Sequence, residues 1–129
     1  RRVELEEGLR AADVVSIHTP LTPETRHLLN RERIGMLKRE AIVVNTSRGP
    51  TIDEAALADA LREKRIWGAG LDVFEEEPVV HPELAKLDNV VMTPHIGSAE
   101  RHWRETMSQM CEANAQAILE GREPPNRVV

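Results

Sequence analysis

Apolar and polar positions alternate between two rhythms along this chain. Four short runs are apolar throughout and rich in β-branched residues: "DVVSIHT" (13–19), "AIVVNT" (41–46), "GAGLDV" (68–73) and "NVVMTP" (89–94). Runs of this length and uniformity read as strands of a sheet covered on both faces. Between them the spacing turns helical. "ELEEGLRAA" places Leu5, Leu9 and Ala12 on one face. "NRERIGMLKR" opens on Asn30 as N-cap, brackets it with Leu29 and Ile34 as a hydrophobic staple, and ends on Lys38 and Arg39, which complement the helix dipole. "DEAALADALREKRIWG" repeats the device, with Asp53 as cap, Ile52 and Leu57 as staple and Gly68 near its stop.

The last segment, 98–121, spaces Trp103, Met107, Met110, Ala117 and Ile118 at helical intervals, from Ser98 as cap to Gly121 before Pro124 and Pro125. It predicts one long amphipathic helix. Strand–helix alternation of this kind predicts an α/β fold: a parallel sheet with right-handed crossovers and flanking helices, the link between the third and fourth strands being mostly loop.

Composition narrows what such a fold does. At 129 residues the chain fits one domain. Its net charge of −5, with basic residues scattered rather than striped, argues against nucleic acid as a partner. No apolar run approaches the roughly 18 residues of a membrane span, and no charged-then-apolar leader opens the chain, so a cytosolic protein is expected. Cys111 stands alone, which excludes paired-thiol redox chemistry and a thiolate metal cluster; on its helix it reads as a small buried hydrophobe. His27, His81 and His102 read as surface or loop residues with no metal spacing, and His18 as a loop residue at a strand end.

In open parallel sheets, ligands bind outside the carboxyl ends of the strands. That rule gathers Arg48, Asp72, Glu77 and His95 on one rim. A histidine can give or take a proton, a neighbouring carboxylate orients it, and a guanidinium binds a carboxylate or polarises a carbonyl. Together they suit reduction of a 2-keto acid, with hydride supplied by a nicotinamide cofactor, since no side chain can donate one. The same four groups also suit a plain salt-bridge network, and Glu77 lies in "EEE", by itself a solvated charge run.

"VVNTSRGPTIDEAAL", "AGLDVFEEEP" and "NVVMTPHIGSA" follow in that order, with spacings of 24, 5 and 18 residues between Arg48, Asp72, Glu77 and His95. In this they resemble the D-isomer-specific 2-hydroxyacid dehydrogenases. "ADVVSIHTPLTPETRHLLN" and "ILEGREPPNRVV" extend the likeness over the whole chain, and "HIGSA" with "EGREPP" is most similar to glyoxylate and hydroxypyruvate reductases. The resemblance implies that Arg48 binds the substrate carboxylate and keto oxygen, that His95 donates the proton, and that Glu77 is its partner. It implies that Asp72 contacts the nicotinamide side of NAD or NADP, that Thr46, Ser47, Ile96 and Gly97 line the same pocket, and that Pro20 and Thr25 border the adenosine and pyrophosphate. It also implies a homodimer. "ERHW" (100–103) is bulkier than expected after this histidine, so Trp103 bears on substrate choice.

A dinucleotide fold also needs a G-x-G-x-x-G turn, whose glycines let the backbone approach the pyrophosphate. Gly8, Gly35, Gly49, Gly68, Gly70, Gly97 and Gly121 form no such turn. In the family it lies upstream, with the cofactor-selecting residue and the substrate domain. The chain is therefore expected to be the C-terminal half of a Rossmann-type domain, inactive alone. A dinucleotide-sensing co-repressor of the same family, which keeps the same residues, is the alternative, and an inert fragment a third reading.

Overall fold

The structure, a computed structural model, describes residues 1–128. It forms two compact units, Arg1–His95 and the residues from Ile96 onward. In the first unit, four strands form one parallel sheet in the order β1 (Val14–Ile17), β2 (Ile42–Asn45), β3 (Gly68–Leu71) and β4 (Val90–Met92). Each strand lies within a run that the sequence marks as apolar. The register aligns Val15, Val43, Ala69 and Val90 across the sheet.

Because the strands are added in chain order and parallel crossovers are right-handed, all the crossovers lie on one face. That face meets α1 (Leu5–Ala11), α2 (Arg31–Ile34) and α3 (Glu54–Arg62) through a single core that includes Leu9, Ile34, Leu57, Leu61 and Val43. The expectation of two covered faces is not met by the first unit. Val14 and Val91, on the opposite face, are exposed, and Ile42, Val44, Gly68 and Gly70 line an open hollow of about 650 Å³ there. The strands read as uniformly apolar because the residues of the open face are as apolar as those of the core.

Two of the expected caps are present. The Asn30 side chain accepts from the Arg33 amide at 2.9 Å, and Asp53 accepts from that of Ala56 at 2.9 Å. Both staple pairs, Leu29 with Ile34 and Ile52 with Leu57, lie in the core. α2 is only four residues long, so Lys38 does not cap a dipole; it pairs instead with Asp13 at 2.8 Å. α3 ends at Arg62 rather than near Gly68, and Lys64 takes the left-handed conformation (φ 53°) that a glycine usually supplies. Between β3 and β4 lies loop with one short 3-10 turn, Leu84–Lys86, as expected.

The second unit is dominated by α4 (Arg101–Leu119). Its cap is Glu100, which accepts from the Trp103 amide at 3.2 Å, and not Ser98. Its end is the expected one, with Gly121 at φ 69°. Ala117 is buried, whereas Trp103, Met107, Met110 and Ile118 are exposed. Cys111 is exposed too, contrary to the buried position its apolar neighbours suggested. No helix is long and apolar enough to cross a membrane among the described residues.

Candidate active site

β2 ends in Asn45, whose side chain is buried and whose hydrogen bonds shape the loop that follows. Its Nδ2 donates to the Arg48 carbonyl at 3.0 Å and to Thr51 Oγ1 at 3.2 Å. Its Oδ1 accepts from both the amide and the hydroxyl of Ser47, at 3.1 and 3.0 Å. This loop carries Thr46, exposed, and Arg48, whose Nη1 donates to the Ser47 carbonyl at 2.7 Å while the guanidinium stays at the surface. Nothing in the sequence singled out Asn45 except its polarity at the end of an apolar run.

Gly49 then packs flat against the loop after β3. A Cβ added there would lie 1.9 Å from the Phe74 carbonyl carbon and oxygen, so only glycine fits. This contact brings the Arg48 loop and the Phe74–Glu77 turn together. Within that turn the Phe74 amide donates to Glu77 Oε1 at 3.0 Å, and Glu77 Oε2 lies 2.6 Å from His95 Nδ1. The His95 ring, hydrogen-bonded to it, holds the Glu77 carboxyl below its ordinary range against the opposing effect of partial burial, with the Phe74 amide and the charges of His95 and Arg48 adding to the lowering. An ionised carboxylate only accepts, so His95 Nδ1 carries the hydrogen in this bond and Nε2 is left for other chemistry.

His95 itself adopts φ 52°, a left-handed backbone that costs a non-glycine residue roughly 1–2 kcal/mol. The strain follows from a tight turn: the His95 amide donates to the Thr93 carbonyl at 3.0 Å. Thr93 is in turn tied to β3, its amide donating to the Leu71 carbonyl at 2.9 Å and its hydroxyl to the buried carboxylate of Asp72. Asp72 thus stitches together the exits of β3 and β4, immediately before the histidine.

The remaining expected residues are less concentrated. Thr25 Oγ1 donates to the Pro20 carbonyl and accepts from the Thr22 amide, each at 2.7 Å, so that hydroxyl closes the turn after β1. Ile96 and Gly97 belong to the second unit, in a turn closed by the Ala99 amide on the Ile96 carbonyl at 2.8 Å. The glutamate run is not solvated throughout. Glu75 is mostly buried and lies 2.6 Å from the ring of His27, a loop residue as expected, whose partner the sequence did not show.

Residues 1–97 match the family described as D-isomer specific 2-hydroxyacid dehydrogenase, NAD binding domain. The chain belongs to that family. It is 48% identical over 126 residues to the glyoxylate reductase of Thermococcus litoralis, covering 98% of this chain and 38% of the relative. It superposes on a Thermus thermophilus protein with a TM-score of 0.94 at 56% identity, covering 98% of this chain and 41% of the other. The NADPH-dependent glyoxylate/hydroxypyruvate reductase of Sinorhizobium meliloti, solved with NADP and malonate, gives 0.85 at 38% identity, covering 88% and 35%. The chain spans about two fifths of the length of these relatives.

The residues at the strand ends present polar groups suited to a bound ligand. Thr19 Oγ1, just after β1, is buried and lacks a hydrogen-bond partner, a donor and acceptor that a bound group would satisfy. Thr46 and Arg48 are exposed on the next loop, and Asp72 stands at the end of β3. No glycine turn for the pyrophosphate lies within this sequence. Among the described residues no group of His, Cys, Asp and Glu is arranged to hold a metal ion.

Proposed function

We propose that this chain is the catalytic half of the NAD(P)-binding domain of a longer cytosolic, homodimeric oxidoreductase. That enzyme reduces a small 2-keto acid of the glyoxylate or hydroxypyruvate type to the D-2-hydroxy acid. The observation that carries the reading is the His95–Glu77 pair, 2.6 Å apart, with the charge of Arg48 close enough to act on the same carboxylate. A keto acid presents a carboxylate and a carbonyl, and reduction puts negative charge on the carbonyl oxygen. The rim offers a guanidinium for the first and a proton donor for the second.

When bound, NADH or NADPH supplies the hydride. Arg48 engages the substrate carboxylate and keto oxygen through its planar fork of N–H donors. His95 gives the Nε2 proton to the oxygen as it becomes a hydroxyl, and Glu77 holds the ring in the tautomer and orientation that this requires. Asp72, Thr46 and Ser47 would hold the nicotinamide half, and Pro20 and Thr25 would border the rest of the dinucleotide. The 129 residues span about two fifths of the length of the relatives named above, so on their own they are expected not to oxidise NADH.

The test is oxidation of NADH and NADPH by the chain with its natural upstream sequence, with glyoxylate and with hydroxypyruvate. Turnover of either acid is expected. Tight dinucleotide binding without turnover of any 2-keto acid would overturn the reading in favour of a dinucleotide sensor.

A further inference from the structure

A second histidine–glutamate pair shares the turn that carries Glu77. His27 Nε2 is 2.6 Å from Glu75 Oε1, and the other Glu75 oxygen accepts from the Glu54 amide at 3.0 Å. The exchange is reciprocal, since the Glu75 amide donates to Glu54 Oε1. His27 is also anchored through its backbone: its amide donates to the Pro50 carbonyl at 2.8 Å, and it too adopts a left-handed conformation, φ 48°. Two residues on, the Leu29 amide donates to the Thr51 carbonyl at 3.0 Å. The side chain of Arg26 lies 3.9 Å from Glu75, and Glu54 also feels His81.

Three segments therefore interlock: 26–29 from the loop after β1, 48–54 carrying Arg48, and 74–77 carrying Glu77. Gly49 closes the packing from the other side, seated on the Phe74–Glu75 peptide. The sequence marks none of this, because His27 and Glu75 are 48 residues apart and neither belongs to the constellation at the rim.

We propose that His27 and Glu75 are positioning residues, which hold the Phe74–Glu77 turn in the place where Glu77 meets His95. The geometry argues for it on two counts. Glu75 is two residues from Glu77, and the Phe74 amide is both next to Glu75 and a donor to the Glu77 carboxylate. A turn that loses the His27 contact keeps its bonds to Glu54 but loses its tie to the 26–29 segment and the partner that fixes Glu75 Oε1, and Glu77, two residues on, moves with it. Holding His27 at positive φ for this contact has a conformational cost, which a residue serving only to fill a loop does not require.

The inference rests on the reduction chemistry proposed above, and two substitutions at one position test it in the full-length chain. Asn tolerates the left-handed backbone well but is too short to reach Glu75, whereas Gln fits that backbone less well yet carries an N–H at about the reach of Nε2. A role in stability alone favours Asn over Gln; positioning favours Gln over Asn. For His27→Asn we expect kcat with glyoxylate or hydroxypyruvate to fall about 10-fold, the KM for the dinucleotide to stay within about 2-fold, and amide exchange in residues 73–77 to speed up about 10-fold. His27→Gln should stay within about 2-fold of the parent in all three. Glu75→Gln, which keeps the shape and removes the charge, is a second route to the same loss. Parental kcat and parental exchange in both His27→Asn and Glu75→Gln would overturn the proposal, as would equal losses in His27→Asn and His27→Gln. A parent that reduces no 2-keto acid defeats the proposed function instead, and the exchange of residues 73–77 then decides the positioning role by itself.

Discussion

Glu77 lies 2.6 Å from His95, although 18 residues separate them, because the turn after β3 and the turn after β4 leave the sheet side by side. The Phe74 amide takes the other Glu77 oxygen, and the Thr93–Asp72 bond fixes the turn before His95. The pair is held from both ends.

Removing the ring should therefore be severe in the full-length enzyme. His95→Asn, which accepts φ 52° readily but cannot donate a proton to substrate, is expected to lower kcat by about 10²- to 10⁴-fold while leaving dinucleotide binding intact. Steady-state kinetics with glyoxylate, beside fluorescence titration of NADH, measures both. Activity within a few-fold of the parent would remove His95 from the chemistry.

Glu77 and the buried Glu54 should oppose each other in pH-dependent stability. Glu77 titrates below its ordinary value of 4.5, so its contribution is present above that value and is lost as pH falls through the lowered one. Glu54 titrates above 4.5, because burial and then the charge of Glu75 outweigh its hydrogen bonds; its contribution is present below 4.5 and is lost as pH rises through the raised value. Urea denaturation across this range should show Glu77→Gln flattening the acid-side loss and Glu54→Gln flattening the loss on the neutral side. Parallel profiles for parent and variants would contradict both assignments.

Gly49→Ala should be disproportionately damaging for a single methyl group. The added carbon meets backbone at 1.9 Å rather than a movable side chain, so the Arg48 loop and the Phe74–Glu77 turn must part. Overpacking of this kind costs about 1–3 kcal/mol or more, readable as a lower denaturation midpoint. Because the displaced loops carry Arg48 and Glu77, kcat should fall as well.

Asn45→Ala should weaken the same loop from beneath. It leaves the Ser47 amide and the Thr51 hydroxyl without this partner in a buried setting, at about 1–3 kcal/mol. The KM for the keto acid should rise more than the KM for the dinucleotide, since Arg48 is the residue this loop presents.

The sequence by itself determined the four strands, the two side-chain caps at Asn30 and Asp53, and the long last helix, because these follow from local periodicity and from hydrogen bonds that reach only three residues. It also determined which polar residues stand at strand ends, while only the family resemblance selected Glu77 from three adjacent glutamates. Local pattern misjudged the environment of Cys111 and Glu75, whose exposure depends on residues far away in the chain. Within the first unit only one face of the sheet is covered, and an apolar strand reads the same whether or not a helix of its own unit lies against it. Only the tertiary structure decided that His27 meets Glu75, that Gly49 rests on Phe74, and that Asn45 is the buried polar hub beneath Arg48. Those contacts join loops that are distant in sequence and adjacent only because parallel strands deliver all their exits to one edge of the sheet.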